Sequence, residues 1–283
     1  MPIRFLTFIL FITLIACNKP AEISEVPERD FAEMSQAEID SLGDWYNNVS
    51  NYFLQVSENH RRYKDSALIV APDNIEYRQV YSYFYKKAGE HLKAMKILNE
   101  AVRRDSLNGS VEAMKYRAWS LLYYYRDYKG AIRDINNIEK LTGFRYNTCW
   151  GEPCGFQKGQ AYYQLEDYEK ATETLLIVNE EEAKLGFDTK DNFYIHFYLA
   201  RAYHKNGDFE KAMKHYNIVL NFDDEFSEAI FYKGLLLKEK GQKAAAKLLF
   251  EKARQLLKED KKMDEPYIER FDELFEWMVE REL

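Results

Sequence analysis

The sequence predicts an all-α protein, a solenoid of helical hairpins closed by a C-terminal capping helix. A short phrase recurs along the chain. Gly207-Asp208-Phe209-Glu210-Lys211-Ala212 is matched by Asp127-Tyr128-Lys129-Gly130-Ala131 and by Asp167-Tyr168-Glu169-Lys170-Ala171. Gly241-Gln242-Lys243-Ala244-Ala245-Ala246 and Gly89-Glu90-His91-Leu92-Lys93-Ala94 are weaker copies. The closing alanines at 94, 131, 171, 212 and 246 are 37, 40, 41 and 34 residues apart. A period near 34 that tolerates insertions marks stacked helical hairpins. Small residues recur with it: Gly159 and Gly234 lie 12 residues before Ala171 and Ala246, and Ala200 lies 12 before Ala212. Helices approach closely only where side chains are small.

The chain opens with Arg4 and an apolar run over residues 5–16. The run is shorter than the ~20 residues that span a bilayer and reads as an export signal. Leu14-Ile15-Ala16-Cys17 resembles the lipobox of bacterial lipoproteins, which implies cleavage before Cys17 and acylation of it. Asn18 follows where an Asp would retain an enterobacterial lipoprotein at the inner membrane, so the expected location is the bacterial outer membrane, on either face. Residues 17–34, with Pro20, Pro27 and scattered acids, read as a solvated tether.

Residues 35–262 carry about six hairpins, the first degenerate. Ser35 and Glu38 form a capping box before a helical stripe of Ile39, Leu42, Tyr46, Val49 and Phe53. A second helix over 58–70 stops before Pro72. The next pair begins at Ile75 and closes with a helix over 91–104. Helices over 111–125 and 128–141 follow, then a connection holding Gly143 and two cysteines. Pro153 opens the fourth hairpin, which runs to Leu185. The fifth covers 192–205 and 209–221, and the sixth 226–240 and 243–257. Residues 265–282 read as one amphipathic capping helix, with Ile268, Phe271, Leu274, Phe275, Met278 and Val279 on one side.

The small residues, the tyrosines at 162 and 203, and alanines such as Ala101 and Ala253 together resemble the tetratricopeptide repeat over residues 75–260. The resemblance implies a right-handed superhelix whose first helices line a concave face. Trp119 occupies a normally small position, so its hairpin must loosen or shift register. Ile138, Val178 and Val219 replace the second alanine.

On that register the concave face presents Tyr83, Lys86 and Lys87, then Tyr116, Tyr123 and Tyr124. Phe156, Gln160 and Tyr163 follow, and then Phe197, Arg201, His204, Lys205 and Phe231. Aromatic anchors with a few basic residues suit an extended peptide or partner helix. The competing reading makes many of these tyrosines packing residues. The Lys and Asn carboxylate clamp of chaperone-binding relatives is not carried over, because Gln79 and Tyr83 stand at its positions.

Cys149 and Cys154 read as a structural disulfide in an oxidising envelope, with free thiols as the other reading. The whole chain carries −7; loss of Arg4 with the signal leaves 39 basic against 47 acidic residues, or −8. That balance argues against nucleic acid and against lying on anionic lipid. No phosphate loop, nucleophile elbow or paired-histidine motif is visible, so no enzyme activity, cofactor or metal is expected. The expected function is a lipid-anchored adaptor or scaffold for a protein or peptide partner; the alternative is a glycan- or nutrient-binding lipoprotein serving an outer-membrane transporter. Two or more acyl chains hold a protein durably to a membrane. Fractionation of cells expressing Cys17→Ser should therefore find the protein soluble; membrane retention of that variant contradicts lipid anchoring.

Overall fold

The structure, a computed structural model, describes residues 31–187, 193–263, 265 and 268–283. The expected signal sequence, Cys17 and most of the expected tether lie outside the described residues; Phe31–Glu33 form one 3-10 turn. Twelve α-helices then pair into six hairpins. They are α1 (Gln36–Ser50) with α2 (Glu58–Val70), α3 (Ile75–Lys87) with α4 (His91–Leu107), and α5 (Glu112–Trp119) with α6 (Tyr128–Thr142). α7 (Cys154–Gln164) with α8 (Tyr168–Lys184), α9 (Phe193–Lys205) with α10 (Phe209–Phe222), and α11 (Ser227–Glu239) with α12 (Lys243–Lys258) complete the array. Each helix packs against its hairpin partner and its sequence neighbours, and the chain is an all-α solenoid.

The recurring phrase has a local cause. Gly207 adopts a φ of +80° beyond the end of α9, where a side chain would be strained. Asp208 then caps α10, its carboxylate accepting from the backbone N–H of Lys211. Asp127 and Asp167 cap α6 and α8 in the same way. Glu90 and Gln242, in the weaker copies, make no side-chain cap. At the N-terminus Ser35 and Glu38 complete the capping box.

Close approach explains the small residues. A Cβ on Gly159 would lie 2.6 Å from Leu175 Cγ, and one on Gly234 would lie 2.7 Å from Phe250 Cε1. Val178, at a usual alanine position, faces Gly155, where a Cβ would lie 2.5 Å from Val178 Cγ2. Ala131, Ala171 and Ala212 have no exposed surface. Gly43, unmarked in the sequence reading, gives the first hairpin its own close contact with Tyr77.

Trp119 shifts the register, one of the two outcomes its size required. The backbone after it is π-helical over Ser120–Tyr124, with the Tyr125 N–H donating to the Ser120 carbonyl. The extra residue in the turn shifts the helix register, so that Ala118 is fully buried while Trp119 is half-buried and lines the open cleft.

Two other elements differ from expectation. Between α6 and α7 the chain forms a small antiparallel hairpin, β1 (Thr148–Cys149) and β2 (Glu152–Pro153). Trp150 and Gly151, at φ of +53° and +88°, make its two-residue turn, and Cys149 and Cys154 are disulfide-bonded beneath it. Closing so short a loop is worth about 2 kcal/mol in the chain-entropy picture. The capping helix is real but short: α13 spans Glu276–Glu280 and buries Val279. Residues 268–275 are not helical; they run back across the first helices of the array.

Ala212→Leu should overpack the α9–α10 contact and cost about 1–3 kcal/mol, read as a lower urea midpoint. Leu248→Ala on the exposed side of α12 should stay within about 0.5 kcal/mol. Equal effects at the two positions would contradict the close-packing explanation.

Candidate functional site

The first helices present one continuous face, a trough, and the chain's own segment 268–274 occupies its C-terminal half. Phe271 stacks on Tyr123 with ring centroids 5.8 Å apart and meets Tyr128 edge-on at 5.9 Å. The Arg126 guanidinium lies 4.6 Å from the Phe271 ring and donates to the Glu269 carbonyl at 2.8 Å. The Tyr198 hydroxyl donates to the Phe271 carbonyl at 2.9 Å. Asp272 accepts from Tyr163 at 2.7 Å and from Arg201 Nε at 2.8 Å. Leu274 N–H donates to the buried Glu228 carboxylate at 3.3 Å, which also accepts from Met263 N–H at 2.9 Å. Burial works against charge on Arg201, but the Asp272 carboxylate outweighs it and holds the guanidinium well above its ordinary pKa. Burial raises the Tyr163 and Tyr198 hydroxyls well above theirs, so they stay protonated donors.

Glu152, on the disulfide-bonded hairpin, forms the middle of the trough. It accepts from the Tyr123 hydroxyl at 2.7 Å and pairs with Arg270 at 2.7 Å. The Tyr123 hydroxyl also touches Gln160. A phenol has one proton; with that given to Glu152, the Gln160 amide fits with its NH2 toward the phenol oxygen, which also supplies the partner that Gln160 Nε2 otherwise lacks.

The N-terminal half is an open cleft of about 580 Å³. Tyr83, Lys86 and Lys87 come from α3, and Tyr116, Trp119 and Tyr124 from α5 and the π-turn; Trp150, Arg270 and Ile268 close the far side. Lys86 forms the floor. Its side chain is 3% exposed, and its ammonium donates to the Tyr116 hydroxyl at 3.1 Å. Four rings surround it, with centroids 4.9 Å (Tyr83), 5.1 Å (Tyr116), 5.1 Å (Trp119) and 4.9 Å (Tyr124) away. Burial, and secondly Lys87, push its pKa down to about 8; the ring faces act in the opposite sense. The exposed Trp150 ring leans on Tyr116 at 4.7 Å. The β-hairpin and its disulfide therefore hold one wall of the cleft.

The predicted face thus divides. Tyr83, Lys86, Lys87, Tyr116 and Tyr124 line the open cleft. Tyr123, Gln160, Tyr163 and Arg201 lie under the chain's own segment or beside it, and Phe156 packs behind them on Tyr198. Phe197 and Phe231 are fully buried against Phe226 and Phe250, so they build the interhelix core and do not line the trough. His204 turns to Tyr216 and Glu239, and Lys205 is exposed. The sequence reading missed Trp150, Glu152, Arg270, Phe271 and Asp272. Trp150-Gly151 between paired cysteines was the available turn signal; Phe271 and Asp272 had no local one. His196 and His215 stack in the α9–α10 core with Nδ1 atoms 2.9 Å apart. Among the described residues no three His, Cys, Asp or Glu side chains gather as metal ligands.

Family models described as the tetratricopeptide repeat match residues 193–226, which hold Gly207 and Ala212, and residues 156–176. Solved structures share the architecture. MamA from Desulfovibrio magneticus RS-1, from residue 41 on, is 18% identical with a TM-score of 0.54, over 65% of this chain and 96% of that one. PilF of Pseudomonas aeruginosa is 14% identical with a TM-score of 0.58, over 77% and 93%. YrrB, titled a TPR protein with an unusual peptide-binding site, is 14% identical with a TM-score of 0.50, over 68% and 91%. At these identities the likeness is one of fold. The comparison with curated proteins returned no match. The hairpin array is therefore a solenoid of tetratricopeptide-like repeats.

The buried Lys86 sets a pH dependence. Its folded pKa lies below its unfolded value near 10.5, so between about 8 and about 10.5 the unfolded chain binds more protons and stability rises with pH. Unfolding of wild type and Lys86→Met at matched pH should show wild type gaining on the variant across that window. A constant difference would contradict the burial of the ammonium.

Proposed function

We propose that the protein is a non-enzymatic, lipid-anchored adaptor of the bacterial cell envelope that binds an extended segment of a partner protein along its first-helix face. The observation that carries this reading is the trough itself. It already holds one non-helical segment, residues 268–274, through an aromatic anchor, a carboxylate and main-chain contacts, and it continues into an open, aromatic-walled cleft. Aromatic and cationic anchors in a preformed groove are what peptide recognition uses. YrrB offers a parallel in the same architecture, a solenoid whose title names a peptide-binding site. The lipobox at Cys17 and the tether would place the array beside the membrane, facing the periplasm or the cell surface.

A second reading, a glycan-binding lipoprotein serving a transporter, draws on the exposed Trp150 ring over Tyr116. Aromatic platforms of that kind also stack sugars. Titration with sugars and peptides separates the two.

Photo-crosslinking in intact cells tests the adaptor directly. A photoreactive phenylalanine at Tyr83 or Trp150, on the cleft, should capture one dominant protein, identified by mass spectrometry. The same residue at Leu248, exposed on α12, should not. Identical products from both positions, or none from the cleft, would remove the adaptor reading.

A further inference from the structure

One place in the repeat meets a carboxylate again and again. Lys86, Tyr123, Tyr163 and His204 each lie eight residues before a closing alanine, at Ala94, Ala131, Ala171 and Ala212. They therefore occupy equivalent positions near the C-terminal ends of successive first helices. Tyr123 donates to Glu152 at 2.7 Å. Tyr163 donates to Asp272 at 2.7 Å. His204 Nε2 lies 3.3 Å from a Glu239 oxygen. A cation joins two of these: Arg270 at Glu152 and Arg201 at Asp272.

Lys238, eight residues before Ala246, completes the series and pairs with Glu282 at 2.5 Å. Lys86 carries the same charge and is the member without a carboxylate. No carboxylate among the described residues pairs with it; its recorded contacts are the Tyr116 hydroxyl and four ring faces. An ammonium has three donors, and one is used here. The floor of the cleft is thus electropositive and short of acceptors, and its walls are aromatic.

We propose that the Lys86 end of the cleft is a carboxylate subsite for an acidic peptide. It would take an Asp or Glu side chain, or a C-terminal carboxylate, with a neighbouring aromatic side chain of the ligand against Trp119 and Trp150. The chain's own Phe271-Asp272 shows the same pairing of ring and acid in the filled half of the trough. Glu265, Ile268 and Arg270 border the cleft, so an incoming peptide would lie end to end with the resident segment. Of the glutamates nearby, Glu152 and Glu265 share Arg270, and Glu152 also accepts from Tyr123 and Gln157, which offsets part of their charge. This inference rests on the trough being a peptide site.

The test uses the full chain in non-ionic detergent, labelled with 5-fluorotryptophan and followed by fluorine NMR. The probes are acetyl-Phe-Asp-amide for a side-chain carboxylate, acetyl-Asn-Phe with a free C-terminus for a terminal one, and acetyl-Phe-Asn-amide as the neutral control. At least one acidic probe should shift the Trp119 and Trp150 resonances, leave Trp45 and Trp277 unmoved, and bind at least tenfold tighter than the control. Lys86→Met should bring that probe down to the control's affinity, and Lys86→Arg should retain it. Equal binding of acidic and neutral probes, or an acidic preference that survives Lys86→Met, would overturn the carboxylate subsite and leave the peptide trough standing. No binding of any probe at 10 mM would also overturn the subsite; failure of the trough itself shows separately, as loss of crosslinking from Tyr83 and Trp150.

Discussion

The pairing of Arg201 with Asp272 ties the C-terminal segment to the fifth hairpin of the array. Arg201 is buried on α9, and Asp272 reaches it from a segment 71 residues later in the chain. A buried guanidinium without its carboxylate would carry a desolvation cost of several kcal/mol. Tyr163 on α7 shares the same carboxylate, and Tyr198 holds the neighbouring carbonyl. Three contacts from two helices thus fix residues 271 and 272 across the array. That one docking event fills the C-terminal half of the trough, hides Tyr123 and Tyr163, and leaves the Lys86 half open.

Much of the solenoid was legible because its causes are local. Aspartate caps, left-handed glycines and small residues at contact points act within one or two hairpins, so they repeat and can be counted. Trp119 was legible as a misfit, since an indole cannot enter a glycine-sized gap; the π-turn that follows it, with Ala118 buried and Trp119 on the cleft, was not. Phe197 and Phe231 were placed on the wrong side because an inner position in one repeat becomes core where the neighbouring helix carries Phe226 or Phe250 close by.

The C-terminal segment shows where local pattern fails. Ile268, Phe271, Leu274 and Phe275 recur at helical spacing, which is what a capping helix requires. Spacing does not reveal that Tyr163 and Arg201 already wait with donors for the acid between them. Tertiary hydrogen bonds to Asp272, to the Phe271 carbonyl and to the Leu274 N–H replace the helical ones, and the helix forms only afterwards, over α13. The disulfide-bonded hairpin has a similar lesson. Its cysteines were visible, but its role in setting Trp150 and Glu152 on the trough depends on partners in α5, the π-turn and the C-terminal segment.

A double-mutant cycle over Arg201→Met and Asp272→Asn, read as unfolding free energy in urea, addresses the docked segment most directly. Residues in one buried hydrogen-bonded pair couple by about 0.5–3 kcal/mol, and the shared burial here places the expected coupling near the top, about 2 kcal/mol or more. Additivity of the two substitutions within about 0.3 kcal/mol would contradict the docking, and with it the division of the trough into a filled half and an open one.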